Sequence, residues 1–323
     1  MNPTLLIGAL ALSCSAAWAQ DAGSLAGKRV RIVVPFTPGG SMDGLARTVG
    51  NGLEKDAGAL VIVENKPGAG GNIAASYVAR SPAGPYLNLL VTSINHYVNR
   101  AMQRDAGYDA YKDFTPVAYL ASMPYVAVVP AQSRFSSLTD LVESAKAQPG
   151  AVSWGFGGNG TLGHFLGLAL EEAGGFKGNP IAYRGGTDLM TALAGNHVDS
   201  VIMTVQSAAP LIKQGRLKAL AVTGSQRNKV LPEVPTFAAQ VPGFPPLSGY
   251  AFLLAPSATP EPLAARLHTA VSTLVRSDAF QQRLEADGAA VAVFPTLAET
   301  KSWFEKDGPR WEALTRKSGI KVE

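Results

Sequence analysis

The sequence predicts an α/β protein of two lobes, each built on a largely parallel sheet flanked by helices. Apolar runs recur along the chain, and each is followed by a turn with glycine or proline and then by helical spacing. The runs are continuously apolar, which indicates strands covered by helices on both faces. The 323 residues exceed one ordinary core, and no flexible linker divides them, so we expect the chain to cross between lobes more than once.

The predicted strands are 30–35, 59–65, 86–93, 125–130, 152–156, 180–185, 200–205, 217–223 and 250–256. Helices are predicted at 138–148, 163–174 and 187–196, because apolar residues recur there at helical spacing behind a polar first residue. The proline- and glycine-rich segment 241–249 is the predicted return crossing, and helices in 260–277 and 300–319 complete the fold.

The first 19 residues are predicted to be a cleaved secretory signal peptide. They carry no charge, an apolar stretch of about ten residues and the small-x-small pattern Ala17-Trp18-Ala19. That stretch is too short for a membrane anchor. Lipidation at Cys14, the single cysteine, stays an alternative. Cleavage after Ala19 would leave a soluble protein outside the cytoplasmic membrane, without a disulfide, a thiolate nucleophile or a cysteine metal site.

Composition and motifs restrict the function classes. The chain has 28 basic and 24 acidic residues, a net charge of +4, and its basic residues are scattered, so nucleic acid is not an expected partner. The sequence contains no G-x-S-x-G, H-E-x-x-H or G-x-x-x-x-G-K-[ST] motif, and its 4 histidines have no acid at motif spacing. A serine hydrolase whose triad assembles only in space stays an alternative.

The segment PFTPGG at 35–40 is the first candidate binding loop. It joins a predicted strand to a helix, and Gly39 and Gly40 let backbone N–H groups approach a ligand closely. The helix start adds partial positive charge, which favours a carboxylate or phosphate. Ser41 and Asp43 are the candidate helix caps. A plain tight turn with a capped helix explains the same residues equally well.

Two further loops follow the next strands. NKPGAGGNIAA at 65–75 is rich in glycine, but Ile73 stands at the third glycine position of a dinucleotide fingerprint. TSINH at 92–96 offers the hydroxyls of Thr92 and Ser93 and the ring of His96. A lone histidine is more often structural than a ligand-binding residue, so both roles for His96 stay open.

GFGGNG at 155–160 matches G-x-G-x-x-G between a strand and a helix. A dinucleotide site would need an acid at the end of the next strand, where Arg184 stands instead. We therefore favour an anion-binding loop in which 159–161 present donors, with His164 one helical turn further. Arg184 could pair with a carboxylate through both nitrogens, or lie in solvent as most arginines do.

Six segments resemble one known family. They read VRIVVPFTPGGSMDGLAR, VIVENKPGAGGNIAA, YKDFTPVAYLA, FGGNGTLGH, IAYRGGTDLMTALAGNHVD and GRLKALAVTGSQRNKVLPEVPT. Together they span about 28–321 and resemble the periplasmic substrate-binding proteins of tripartite tricarboxylate transporters, the Bug-type receptors. The resemblance implies the two-lobe Venus-flytrap fold of type II periplasmic binding proteins, closing around a small carboxylate held partly through bridging waters. It also implies delivery to membrane components of such a transporter, with no enzymatic activity, cofactor or metal.

On this resemblance, lobe I comprises 24–123 and 246–323, lobe II comprises 124–245, and the hinge lies near 122–126 and 243–250. We expect a monomer in the periplasm. The expected ligand-binding residues of lobe I are Phe36, Thr37, Pro38, Gly39, Gly40, Ser41, Asp43, Thr92, Ser93 and His96. Those of lobe II are Gly157, Gly158, Asn159, Gly160, Thr161, His164, Tyr183, Arg184, Met203 and Thr204.

Two departures from the family pattern bear on the ligand. Many relatives have Phe-Asp-Asn where this chain has Ile202-Met203-Thr204, and in amino-acid receptors an acid there meets the ligand's ammonium. The family's usual Tyr-Lys-Gly-Gly carries Arg184 in this chain. Both changes favour an aromatic or aliphatic dicarboxylate, such as terephthalate, over an amine. An enzyme on the same scaffold, either a hydrolase or dinucleotide-dependent, and a ligand sensor for a signalling partner stay alternatives.

Overall fold

The computed structural model describes residues 24–81, 84–102, 106–290 and 294–318. The predicted signal peptide lies outside these residues. The strands are β1 (Arg29–Val34), β2 (Leu60–Asn65), β3 (Leu87–Thr92), β4 (Phe114–Met123), β5 (Tyr125–Pro130), β6 (Ser153–Phe156), β7 (Asn179–Ala182), β8 (Ser200–Thr204), β9 (Leu217–Val222) and β10 (Gly249–Pro256).

The helices are α1 (Ser41–Ala57), α2 (Asn72–Ala79), α3 (Asn95–Met102), α4 (Leu138–Ala147), α5 (Leu162–Gly174), α6 (Gly186–Ala194), α7 (Val205–Lys213), α8 (Phe237–Gln240), α9 (Glu261–Arg276), α10 (Asp278–Ala286) and α11 (Leu297–Ser318). A short 3₁₀ turn, Ala69–Gly71, precedes α2. Within the described ranges, no helix combines the length and the apolar character that crossing a bilayer requires.

Two five-stranded sheets organise the chain, with strand orders β2-β1-β3-β10-β4 and β7-β6-β8-β5-β9. In the first sheet, β10 runs antiparallel to both of its neighbours, and in the second sheet β5 does the same. The other four strands of each sheet therefore share one direction, which confirms the predicted largely parallel α/β fold. We call the first sheet and its helices lobe I, and the second sheet and its helices lobe II.

The antiparallel strands are the ones through which the chain enters each lobe. β4 ends at Met123 and β5 begins at Tyr125, so the single residue Pro124 carries the chain from the first sheet into the second. The chain returns from β9 to β10 through α8 and 241–248. Because β1, β6 and β8 end where the lobes meet, a strand that arrives from the other lobe starts there and must run the opposite way.

The strand β4 was missed by the sequence analysis. It contains Pro116, which cannot donate a backbone hydrogen bond and so argues against a strand in the middle of a sheet. β4 lies at the edge of its sheet and pairs with β10 alone, where a proline is tolerated. The pairing shifts register between Leu253 and Leu254, the residue opposite Pro116.

The last helix, α11, contacts both α5 of lobe II and the strand β10 of lobe I. In α11, Trp311 is 1% exposed and its ring centroid lies 5.9 Å from that of Phe165 in α5. The Trp311 Nε1 donates to an Asp307 carboxylate oxygen at 2.9 Å, and the Tyr250 hydroxyl of β10 donates to the same oxygen. The hydrogen bond to Asp307 therefore holds the start of β10 against α11.

Candidate ligand-binding site

Four helices, α1, α5, α6 and α7, begin at the interface between the lobes. Their N-cap residues, Gly40, Thr161, Gly185 and Thr204, make no side-chain capping hydrogen bond. Elsewhere the chain does cap helices in this way; the Ser137 hydroxyl accepts the first-turn N–H of Asp140 at the start of α4. The four starts direct the positive ends of the helix dipoles to one place, and their first turns carry backbone N–H donors there, except that the Val205 N–H of α7 already donates to the Pro124 carbonyl oxygen at 2.9 Å.

Two adjoining cavities, of about 70 Å³ and about 30 Å³, lie at this place. Both are lined by Phe36, Ser41, Met42, Tyr125, Thr161 and Thr204. The larger is completed by Gly40, Gly157, Gly163, Gly185, Gly186, Leu189, Ile202, Met203 and Ser207. The smaller is completed by Ser93, Asn95, Met123, Leu162 and Tyr250. Each lobe thus contributes to both cavities.

The electrostatics of these cavities come from neutral groups. Among the described residues that line them, none is an aspartate, glutamate, lysine, arginine or histidine. Burial raises the pKa of the Tyr125 hydroxyl to about 12, so it stays protonated at physiological pH. Hydroxyls and backbone N–H groups can donate hydrogen bonds to an anion, whereas the site offers an ammonium no opposite charge.

The structure brings part of the expected residue set into the cavities. The expected residues that line them are Phe36, Gly40, Ser41, Ser93, Gly157, Thr161, Met203 and Thr204. A second group, Thr37, Pro38, Gly39, Gly158, Asn159 and Gly160, lies beside them, where the loops of the two lobes meet. A third group, Asp43, Thr92, His96, His164, Tyr183 and Arg184, lines neither cavity.

The loops of the two lobes touch at two places beside the cavities. Thr187 of α6 donates its hydroxyl to the carbonyl oxygen of Pro38, Oγ1 to O 2.9 Å. Further along, Gly70 of lobe I and Asn159 of lobe II are so close that a Cβ on Gly70 would lie 2.4 Å from the Asn159 carbonyl oxygen. The lobes therefore enclose the cavities by direct contact.

Asp43 holds its own loop instead of facing the cavities. Its Oδ2 accepts from the Gly39 N–H at 3.0 Å and from Arg47 Nε at 3.0 Å, and its Oδ1 accepts from Asn65 Nδ2 at 3.1 Å. Burial opposes the charge, but these bonds outweigh it and hold the pKa of Asp43 below its usual value. The charged Asp43 thus fixes the conformation of the 35–40 loop.

His96 lies in the core of lobe I, 0% exposed. Its Nε2 donates to the Ala110 carbonyl oxygen at 3.0 Å, and its ring stacks on Tyr108 with centroids 5.1 Å apart. Burial lowers its pKa to about 4, against a smaller opposing effect of the Ala110 bond. His96 is thus held in the core of lobe I, and Thr92, 2% exposed, is buried likewise.

His164 supports the glycine loop of lobe II from within. Its Nδ1 accepts from the Gly160 N–H at 3.3 Å, and its ring stacks on Phe156 with centroids 4.2 Å apart. Burial lowers its pKa to about 4, so the ring is neutral at pH 7 and can remain an acceptor. His164 therefore shapes the loop that lines the larger cavity.

Arg184 lies at the surface of lobe II. Its Nε is 3.0 Å from Asp188 Oδ2, one helical turn along the chain, and its side chain is 77% exposed. A bidentate pair between Arg184 and a ligand carboxylate would need the guanidinium in the cavities, and the structure places it in solvent instead. The neighbouring Tyr183 packs on the apolar core of lobe II.

Sequence reasoning missed four polar residues that line the cavities, Asn95, Tyr125, Ser207 and Tyr250. Tyr125 was predicted only as the first residue of a strand. It directly follows Pro124, where the chain crosses between the sheets, so it lies between the lobes. Ser207 lies in the first turn of α7, three residues after the N-cap Thr204. The predicted strand 200–205 covered the start of this helix, so nothing in the sequence indicated that Ser207 lies near the site.

The glycine loop at 155–160 lies beside a cavity that is much smaller than most ligand sites. Sites for ligands of drug size usually measure about 300–1,000 Å³. The larger cavity beside this loop measures only about 70 Å³. The loop instead packs against lobe I, where the Gly160 backbone approaches Val98 and Met102. Its glycines permit this close contact between lobes.

Comparison with known sequences shows the family. A protein from Pseudomonas sp. (strain P51), described as the UPF0065 protein in the tcbD-tcbE intergenic region, is 32% identical over 310 residues, 95% of this chain and 91% of that protein. The sequence profile described as "Tripartite tricarboxylate transporter family receptor", TctC, matches residues 45–320. The resemblance inferred from the six segments is thereby confirmed.

Solved structures show the same fold. The periplasmic binding protein BugD superposes with a TM-score of 0.84 at 28% identity, covering 91% of this chain and 99% of that one. The R. palustris protein Rpa4515 with adipate gives 0.83 at 31% identity, covering 91% and 98%. MatC from Rhodopseudomonas palustris with bound malate gives 0.81 at 29% identity, covering 89% and 99%. The chain belongs to the TctC family of tripartite tricarboxylate transporter receptors.

Proposed function

We propose that this protein is a periplasmic receptor that captures a small organic carboxylate between its lobes and delivers it to the membrane components of a tripartite tricarboxylate-type transporter. The observation that carries the proposal is the convergence of four uncapped helix starts on one enclosed pair of cavities. An enclosed anion there would satisfy donors that the protein itself leaves without a side-chain cap.

The energetics of such a site are sufficient without a cationic side chain. A helix start stabilises a nearby anion by roughly 0.3–1 kcal/mol, and more when partly buried. A hydrogen bond to a charged group contributes roughly 1.5–3 kcal/mol. Several such donors together would reach micromolar affinity, about 8 kcal/mol, after the cost of association. Neutral donors also avoid the cost of burying a lysine or arginine whenever the cleft is empty.

For the ligand we propose a dicarboxylate, aliphatic or aromatic. Two related structures were solved with named small molecules, adipate and malate, which are both dicarboxylates. Cavities of about 70 and 30 Å³ together match the liquid volume of roughly three waters, which suits a short aliphatic diacid better than a larger ligand. Terephthalate, with its rigid ring, would need the lobes to close less tightly than they do here.

Ligand binding is proposed to act by closing the lobes, 24–123 with 246–323 against 124–245, about the crossings at 122–126 and 243–250. A ligand stabilises the closed form only by contacts with both lobes that the open form lacks. The cavity lining meets this condition, because Ser41 comes from lobe I and Thr161 from lobe II. We further propose that the protein is exported, cleaved near Ala19 and active as a monomer.

A thermal-shift screen of the mature chain, residues 20–323, tests the function. The panel is succinate, malate, adipate, terephthalate, butyrate, amino acids and NAD(P), with succinamide as a neutral control of matched shape. An acid present at about 100 times its dissociation constant should add about 2.7 kcal/mol of stability, which moves the midpoint by several degrees. The amide should have no effect, because it lacks the anionic charge.

The outcomes separate the alternatives. A shift with acids and none with succinamide supports a carboxylate receptor. Equal shifts with succinate and its amide would contradict anion recognition. A shift with NAD(P) alone, or turnover of a bound compound, would replace the receptor by an enzyme on the same scaffold. Uptake of the bound acid by cells, lost on deletion of this protein, separates transport from sensing.

A further inference from the structure

The two cavities form a row, and Ser207 lies at one end of it. Ser41, Thr161 and Thr204 line both cavities and so lie at the middle. Ser207 and Gly186 line the larger cavity only, whereas the smaller cavity continues on the side of lobe I. A ligand whose carboxylate lies at the starts of α1 and α5, and whose chain extends along the larger cavity, would have its far end at Ser207.

The hydroxyl of Ser207 is arranged to donate to that far end. The Thr204 Oγ1 donates to Ser207 Oγ at 3.0 Å, so the Ser207 proton is free to point to another acceptor. Thr204 is the N-cap of α7, yet it uses its hydroxyl on this bond and caps no backbone N–H. The Ser207 hydroxyl proton is therefore available at the start of α7, where the Val205 N–H already donates to the Pro124 carbonyl oxygen at 2.9 Å.

A second helix start reaches the same point. A Cβ on Gly186, the first residue of α6, would lie 3.7 Å from Ser207 Oγ. Beside this polar end, Leu189 and Met203 are each 3% exposed and line the same cavity. Apolar side chains next to a group of neutral donors match a methylene chain that ends in a second carboxylate.

We propose that Ser207 is the specificity-determining residue of the cleft, and that its hydroxyl selects acids with a second carboxylate over monocarboxylates of the same length. The proposal rests on the proposed receptor function and assigns one end of its ligand. The second carboxylate accepts from Ser207 Oγ–H, whose own oxygen is held by Thr204. An ammonium at that end would meet no carboxylate among the residues that line the cavity, so the site disfavours amino acids with a terminal amine.

Calorimetric titration of length-matched acids tests the proposal, using succinate with butyrate and glutarate with pentanoate. The wild-type protein should bind each diacid at least tenfold more tightly than its monoacid. In Ser207→Ala, this preference should fall about tenfold, the usual effect of losing a hydrogen bond to a charged group. Monoacid affinity should change less than about twofold. Ser144→Ala on α4, which lies outside both cavities, is the matched control and should keep the full preference.

A second measurement needs no variant. Monomethyl succinate replaces one carboxylate by a neutral ester, so the wild-type protein should bind it about tenfold more weakly than succinate, and Ser207→Ala should narrow that gap. Equal losses for diacids and monoacids in Ser207→Ala, or a wild type that binds butyrate as tightly as succinate, would overturn the proposal while the receptor function stands. If the wild type binds none of the acids in the thermal-shift panel, the receptor function itself fails.

Discussion

Thr187 of lobe II donates its hydroxyl to the carbonyl oxygen of Pro38 of lobe I, with 2.9 Å between the two oxygens. The bond joins the start of α6 to the loop that precedes α1. Both elements also line the larger cavity, through Gly186 and Gly40. This hydrogen bond can form only when the lobes are together, so it belongs to the closed form.

We expect Thr187→Val to weaken ligand binding about threefold to tenfold. The substitution keeps the shape but removes one hydrogen bond, which contributes roughly 0.5–1.5 kcal/mol. Because the bond stabilises closure and not folding, the unfolding free energy without ligand should change by less than about 0.5 kcal/mol. Titration calorimetry and urea unfolding measure the two quantities.

Thr191→Val is the control for this substitution. Thr191 lies on the same helix, and its hydroxyl donates to the Thr187 carbonyl oxygen at 3.1 Å, within one lobe. Its loss should leave ligand affinity within about twofold of the wild type. If both valine variants weaken binding alike, the bond between Thr187 and Pro38 does not hold the lobes closed.

Gly70→Ala should prevent full closure of the lobes. A Cβ there would lie 2.4 Å from the Asn159 carbonyl oxygen, which is backbone and cannot move aside alone. We expect ligand affinity to fall by more than tenfold, because the closed form must open to admit the methyl group. Small-angle scattering should then show no compaction when the acid is added.

The strain of an alanine at positive φ has its own control. Gly70 has φ +60° and Gly215 has φ +67°, but a Cβ on Gly215 would meet no atom within 4 Å. Gly215→Ala should therefore lose a similar 1–2 kcal/mol of folding stability, roughly, with unchanged affinity. Loss of affinity in both variants would indicate general destabilisation and would contradict a specific contact between lobes.

Local patterns were enough to predict most of this fold. Nearly every predicted strand is present within two or three residues, because continuous apolar runs bounded by glycine or proline are strong signals. The exceptions depend on tertiary structure. β4 carries Pro116, which only its edge position permits, and the 180–185 run ends as a strand at Ala182 because the chain turns there into α6.

The site was predictable as a set of loops but not as a set of side chains. The loops at 35–41 and 157–161 follow strands of different sheets, so the family resemblance, and not strand geometry, predicted that they lie together. The direction of the side chains could not be predicted in this way. Asp43 is held within its own loop by Arg47, and His164 stacks on Phe156, and neither contact follows from spacing along the chain.

Arg184→Ala tests how far the resemblance to relatives with lysine at this position extends. The side chain is paired with Asp188 and 77% exposed, and it lines neither cavity. We expect ligand affinity to change by less than about twofold, since exposed ion pairs contribute little. Calorimetry with the best acid from the screen decides the question. A tenfold loss would place the guanidinium on the ligand and restore the expectation from sequence.

The stability of the protein should fall between pH 7 and pH 5, in part through His164. Burial lowers the pKa of His164 from its usual 6.5 to about 4. Below pH 6.5 the unfolded chain therefore binds a proton that the folded chain resists, so stability is full above that pH and is lost as the pH falls toward 4. By pH 5 the loss should be about 2 kcal/mol from this residue. Burial also lowers the pKa of His96 to about 4, so His96 adds a similar loss of stability.

His164→Gln removes the titration but keeps an oxygen that can accept from the Gly160 N–H. We expect the variant to recover about 2 kcal/mol of the stability that the wild type loses between pH 7 and pH 5, measured by urea unfolding at both values. His197→Gln is the matched control, because His197 is an exposed histidine of the same lobe. This variant should lose as much stability between pH 7 and pH 5 as the wild type does. If His164→Gln loses as much stability as the wild type, the ring is not held neutral in the folded protein, and the loop at 157–161 does not depend on His164 as an acceptor.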